Sequence, residues 1–218
     1  MRKKRMSPQQ GEVARNIINW LGWADNDYLA ARSLLLDHFI IQGAILSNTA
    51  VEKYLKTILL IEGKEFPREH DVPKLYEKLI SGEKNLGINK EYLNLLFKCY
   101  KMRYPDDLEN GFNIALIETK MLVELDFTIH KIRGGFRFQS DGKPIKTRID
   151  FLLESNDENL MRNNCYFGSS DRKKLFEEDT HCYEMRVLGP SQNLEATYQT
   201  TGVDDDGKFD LIGLKPNN

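Results

Sequence analysis

The chain has 218 residues, 40% hydrophobic and 29% charged, with a formal net charge of −2. That balance excludes a wholly disordered chain and allows one ordinary domain with an appendage, or two small domains. Charge divides weakly at Gly134, with 20 basic against 18 acidic residues before it and 11 against 15 after it, so neither half has the basic excess of a dedicated nucleic-acid binder.

The one basic run, Arg2-Lys3-Lys4-Arg5, reads as a solvated tail. It leads into Ser7-Pro8-Gln9-Gln10 and not into the apolar core of a signal peptide. No apolar stretch approaches the ~20 residues of a membrane span, and the expectation is a cytoplasmic protein with no membrane partner. Cys99, Cys165 and Cys182 lack C-x-x-C spacing, and His181 beside Cys182 has no second ligand pair. Reduced thiols, no metal site and no cofactor are expected.

Ser7, Pro8 and Gln10 form a helix-start signal, with Ser7 as N-cap and Gln10 closing a capping box. Val13, Ile17, Leu21, Ala24, Tyr28, Ala31 and Leu35 then recur every three or four residues, which predicts a long amphipathic helix ending near Asp37-His38. A second stripe, from Ile41 through Ala44, Ile45, Val51, Leu55 and Ile58 to Leu59, closes at Gly63, a good residue for a helix C′ position. The short connection makes these two helices neighbours, antiparallel to one another.

Asp71 is placed to cap a brief third helix carrying Val72, Leu75, Tyr76 and Leu79, and Asn89 a fourth carrying Leu93, Leu96, Phe97 and Tyr100 until Pro105. A fifth is predicted from Gly111-Phe112 through Ile114, Ile117, Met121, Leu125, Thr128 and Ile132 to Gly134-Gly135. Beyond Gly135 the period changes. Phe136–Phe138, Arg148–Leu152, Tyr183–Leu188 and Lys208–Ile212 read as short strands among polar, Gly- and Asp-rich stretches, in a segment that is either a small β appendage or weakly ordered. The expected fold is therefore an all-α, four- to five-helix bundle over residues 7–134, followed by an appendage over 135–218.

Within the second helix stands Ala44-Ile45-Leu46-Ser47-Asn48-Thr49-Ala50-Val51-Glu52-Lys53-Tyr54-Leu55-Lys56; Glu69-His70-Asp71-Val72-Pro73-Lys74-Leu75 follows, then Arg103-Tyr104-Pro105-Asp106. In order and spacing these blocks resemble the HEPN family, with its A-V-E-K-x-L-K, H-D-L-x-x-L and R-Y-P-D segments. Trp23, Ala24, Asp27, Tyr28 and Ala30-Ala31 resemble its opening pattern, so the resemblance covers Asn16 to Arg133. It implies two long antiparallel helices and frequent dimers, among RNA-cleaving toxins, partners of minimal nucleotidyltransferases and non-catalytic nucleotide- or RNA-binding modules. Catalytic members carry a histidine that follows the arginine after four to six intervening residues, a window whose far edge here is Asn110. Here Tyr104-Pro105-Asp106-Asp107-Leu108-Glu109-Asn110 fills that window, and an amide cannot move protons near neutral pH as imidazole does.

The resemblance implies that Asn48, Glu52 and Lys56 line an inner cleft with Arg103. Arg103 either grips a phosphate, with Tyr104 as a stacking ring, or closes a salt bridge with Asp106, Asp107 or Glu52. Glu52 and Lys56, four residues apart, form an exposed helix pair or part of that cleft. His70 either caps and packs or supplies an acid–base group; His38 and His130 read as helix-end residues, His130 favoured there when protonated. Three functions stand: a non-catalytic homodimer binding nucleotide or RNA phosphate, with a nucleotidyltransferase as partner; an RNA-cleaving toxin using a displaced group such as His70; and a structural interaction module.

Overall fold

The computed structural model describes residues 8–65, 70–81, 85–136, 138–140, 143–171, 174–175, 180–188 and 193–201. Helix α1 runs over Pro8–Leu36 and α2 over Ile40–Ile61. Leu35 packs on Gly43, Asp25 on Tyr54 and Trp20 on Lys56, so positions advance along one helix as they retreat along the other and the pair is antiparallel. Gly43 permits the close end of this crossing, where a Cβ would meet Leu35 Cγ at 2.7 Å. Of the α1 stripe, Leu21, Ala24, Tyr28, Ala31 and Leu35 are buried, whereas Val13 is exposed. Ser7 and its capping role lie outside the described residues.

The local stop and start signals act as the sequence indicates. Gly63 takes φ +66° one residue past the Glu62 C-cap. Asp71 accepts the Lys74 amide at the head of α3, Val72–Ile80, and Asn89 accepts those of Glu91 and Tyr92 at the head of α4, Lys90–Lys101. Leu75, Leu79, Leu93 and Leu96 are essentially fully buried. Each such side chain contributes about 1.5–3 kcal/mol of burial.

The predicted fifth helix starts later than its apolar stripe. Asn113–Ile117 is strand β1, and α5 occupies Glu118–Arg133. Ile114-Ala115-Leu116-Ile117 is buried at every position, and a continuous apolar run of this length suits a buried strand and a helix equally. Its partner decides. Strand β4, Thr180–Leu188, pairs antiparallel with β1 from Asn113↔Arg186 to Ile117↔Cys182, and β5, Asn193–Thr201, flanks β4 on its other edge, giving the order β1-β4-β5.

After α5 a small ladder joins β2, Gln139–Ser140, to β3, Lys143–Pro144. The predicted strand at 148–152 is instead helix α6, Arg148–Glu154. Its start is a Thr-x-x-Asp capping box, in which Thr147 N–H donates to Asp150 Oδ2 at 2.7 Å and Asp150 N–H donates back to Thr147 Oγ1 at 3.4 Å; two local bonds outweigh the alternating pattern. Helix α7, Glu158–Met161, follows. Ile149 of α6 and Leu160 of α7 are buried in the same core as the α1 to α5 side chains. Residues 208–212, predicted as a strand, lie outside the described residues.

Two buried ion pairs tie these later elements to the bundle. Arg32 pairs with Asp126 and donates to the Asn159 and Arg162 carbonyls around α7. Arg133 pairs with Asp25 at 2.6 Å and donates to Thr147 Oγ1 at 2.6 Å, which links the end of α5 to α1 and to the cap of α6. His130 stacks on Tyr166 at 5.3 Å, and burial, aided by Lys131, lowers its pKa.

Candidate functional site

Positions 48, 52 and 56 recur every four residues and share one face of α2. Lys56 Nζ donates to Glu52 Oε1 at 2.7 Å, and His70 Nδ1 lies 2.9 Å from Glu52 Oε2. Asn48 Nδ2 donates to the His70 carbonyl at 3.4 Å, while its Oδ1 is buried with no hydrogen-bond partner among the described residues. Glu52 and Lys56 are each only 4% exposed. The exposed helix pair allowed by the sequence is thus a nearly dry one, with His70 as the carboxylate's second partner.

His70 sits immediately before the Asp71 cap, so the start of α3 fixes its backbone. Its ring lies 4.8 Å from that of Tyr100, in the last turn of α4. Arg103 Cζ is 3.6 Å from the Tyr100 ring centroid and 5.1 Å from that of Tyr104, and Arg103 Nε donates to the Tyr100 carbonyl at 3.3 Å. The result is a continuous array: Lys56, Glu52, His70, Tyr100, Arg103, Tyr104. Burial raises the Tyr100 pKa, with Arg103 pulling it back, so the ring remains a neutral phenol.

All six residues singled out in the sequence, Asn48, Glu52, Lys56, His70, Arg103 and Tyr104, belong to this neighbourhood. Of the two alternatives, no ion pair of Arg103 with Asp107 or Glu52 is found among the described residues, and its guanidinium stacks on Tyr100. Arg103 is an exposed residue, and Tyr104 beside it is 59% exposed. With Nε bonded to the Tyr100 carbonyl, a guanidinium stacked on an aromatic face still directs its terminal N–H donors outward in its own plane, where an anion can meet them. The sequence assigned Tyr100 to the core and did not name Trp20, whose ring Lys56 Nζ faces at 6.0 Å. The only signal for Tyr100 was its i−3 spacing from Arg103.

None of the three cysteines forms a disulfide. Burial pushes the Cys182 thiol up to about 11 and that of Cys99 higher still. At pH 8 a thiol with such a value is roughly one part in a thousand thiolate. Brief iodoacetamide treatment at pH 8 is therefore expected to modify the half-buried Cys165 first, read by peptide mass mapping; equal modification of all three would contradict the burial of Cys99 and Cys182.

Residues 17–124 match the family model of the HEPN domain. No curated protein and no solved structure matches the chain. Among the described residues, no helix is long and apolar enough to cross a membrane.

Proposed function

From the match over residues 17–124, which supports HEPN family membership for the helical part of the chain, we propose that this is a non-catalytic, cytoplasmic HEPN-type protein that binds nucleotide or RNA phosphate at Arg103. The observation that carries the reading is the exposed residue Arg103, its guanidinium braced on Tyr100, with Tyr104 open beside it. A fixed fork of donors suits a phosphate, and an exposed phenol ring suits a base or a ribose edge. Glu52 pairs with both the buried Lys56 and the half-exposed His70, so His70 is the nearer further donor on the Arg103 side of the array. A homodimer through the long helices and a separately encoded nucleotidyltransferase, in a toxin–antitoxin or defence setting, complete the proposal.

Fluorescence anisotropy with labelled nucleotides and short single-stranded RNA tests it. A charge-assisted hydrogen bond contributes about 1.5–3 kcal/mol, so Arg103→Ala is expected to weaken binding by roughly 10- to 100-fold. Equal, weak binding by wild type and Arg103→Ala would remove Arg103 from the site.

A second reading rests on His70. Its Nδ1 is engaged by Glu52 while the side chain is 51% exposed, an arrangement in which a carboxylate orients an imidazole and leaves Nε2 available for proton transfer. That geometry favours an RNase in which His70 replaces the histidine missing after Arg103. Incubation with total RNA separates the readings: cleavage that His70→Gln abolishes supports an RNase, and an unchanged RNA pattern at high protein concentration rules it out.

A further inference from the structure

His38, Glu118 and His181 come from three distant parts of the sequence: the turn between α1 and α2, the first residue of α5, and the start of β4. One ligand atom from each lies within 4.8 Å of the others. His38 Nδ1 is 2.7 Å and His181 Nδ1 3.3 Å from the same oxygen, Glu118 Oε2, and the two imidazole ring centroids are 3.9 Å apart. From this geometry we infer a divalent transition-metal site, suited to zinc, formed by His38, Glu118 and His181.

The ligand chemistry selects the ion. Two imidazoles and one carboxylate are the donor set of zinc and its first-row neighbours, whereas calcium and magnesium take oxygen ligands almost exclusively. Tetrahedral zinc, with bonds near 2.0–2.1 Å, sets its ligand atoms about 3.3 Å apart. The His181 to Glu118 separation has that value already, and the His38 to Glu118 contact needs only a small opening. His38 and His181 are 54% and 37% exposed at their side chains, Glu118 12%, so the fourth position faces water.

A metal ion in the cluster would take a lone pair from each neutral ring and offset the carboxylate charge. His38 holds φ +65°, the left-handed region that glycine, asparagine and histidine occupy at turns, and this turn places its ring beside Glu118. Bound metal would clamp β4 onto the α1–α2 turn and the head of α5.

Equilibrium dialysis of the full, tag-free, chelator-stripped chain against zinc sulfate tests the inference, with magnesium chloride as the control. The expected result is one zinc retained per chain at micromolar free ion, no retained magnesium, and a rise in Tm with zinc alone. His38→Asn, which keeps the turn conformation accessible, His181→Gln and Glu118→Gln should each weaken zinc binding at least 10-fold while circular dichroism shows unchanged helicity. Cys182→Ser and His130→Gln should leave it unaltered. Cobalt substituted for zinc should show visible d–d absorption without a thiolate charge-transfer band. Zinc binding that survives all three ligand substitutions, or that disappears in Cys182→Ser, overturns the assignment.

Discussion

Asp126→Ala is expected to lower the unfolding free energy by about 3–5 kcal/mol, the loss typical when one member of a buried ion pair is removed and the other is left unpaired. The side chains of Arg32 and Asp126 are 0% and 1% exposed, and Tyr28 Oη donates to Asp126 Oδ1 at 2.8 Å. Without the carboxylate, a guanidinium that cannot deprotonate stays in the core beside an unmatched hydroxyl. Burial raises the Asp126 pKa against the opposing pull of Arg32, while Asp126 raises the Arg32 pKa against the desolvation of the guanidinium. Like other buried pairs, this one is costlier to break than to replace. The double variant Arg32→Met/Asp126→Leu should be less destabilised than the sum of its single variants, by roughly 1–3 kcal/mol in a double-mutant cycle. Some loss will remain, because Arg32 also serves the Asn159 and Arg162 carbonyls. Urea unfolding followed by circular dichroism reads both numbers. A loss below about 1 kcal/mol for Asp126→Ala would mean that the pair is hydrated in solution.

The second large effect is that of Arg133→Met, also about 3–5 kcal/mol near neutral pH, with a pH dependence that identifies its cause. Asp25 accepts from both Arg133 and Tyr54, and its side chain is 1% exposed. In the intact protein burial raises the Asp25 pKa, and Arg133 is the largest influence restraining that rise. Removing Arg133 releases the restraint, so the folded-state pKa climbs further above the unfolded value. A carboxyl shifted in this direction binds more protons folded than unfolded; it contributes stability below its unfolded pKa, which is lost as pH rises through its folded pKa. The deficit of the variant relative to wild type should therefore shrink as pH is lowered from 8 to 5. A deficit constant across that window would assign the loss to the Thr147 hydrogen bond and packing instead of to the stranded charge. Hydrogen exchange should show α6 losing protection in this variant, since Arg133 holds its capping threonine.

Much of the helical region was legible because its determinants are local. An apolar stripe with period 3.6 names the buried face of a helix whatever that face meets. Asp71, Asn89 and Gly63 mark termini through bonds to residues at most a few positions away. The candidate site was legible to the same extent. Spacing put Glu52 and Lys56 on one face, the resemblance implied that Asn48 and Arg103 join them, and His70 stood out only as the histidine of a matching block. Two features were not legible: that Glu52 and Lys56 are almost dry, and that Tyr100 joins His70 to Arg103. Both depend on how α3 and α4 pack on α2.

Strand β1 shows the limit most plainly. Ile114-Ala115-Leu116-Ile117 carries no period by which to choose between helix and strand, and the choice is made by a partner roughly seventy residues later, Cys182 to Arg186. Sheet hydrogen bonds are non-local, so a strand can be assigned from sequence only when its alternation or its turn announces it. At 148–152 the error ran the other way, and the Thr147–Asp150 capping box was the overlooked local signal.

By itself the sequence determined a helical bundle, the ends of its second, third and fourth helices and the helix faces that pack inward, because a helix satisfies its backbone within four residues and buries one stripe. Only the tertiary structure decided which charges are stranded in the core and which side chains meet. Arg32 and Asp126 are 94 positions apart, and His38 lies 80 positions from Glu118. Neither separation leaves a trace in local periodicity, since each contact exists only through the desolvation and proximity that chain closure creates.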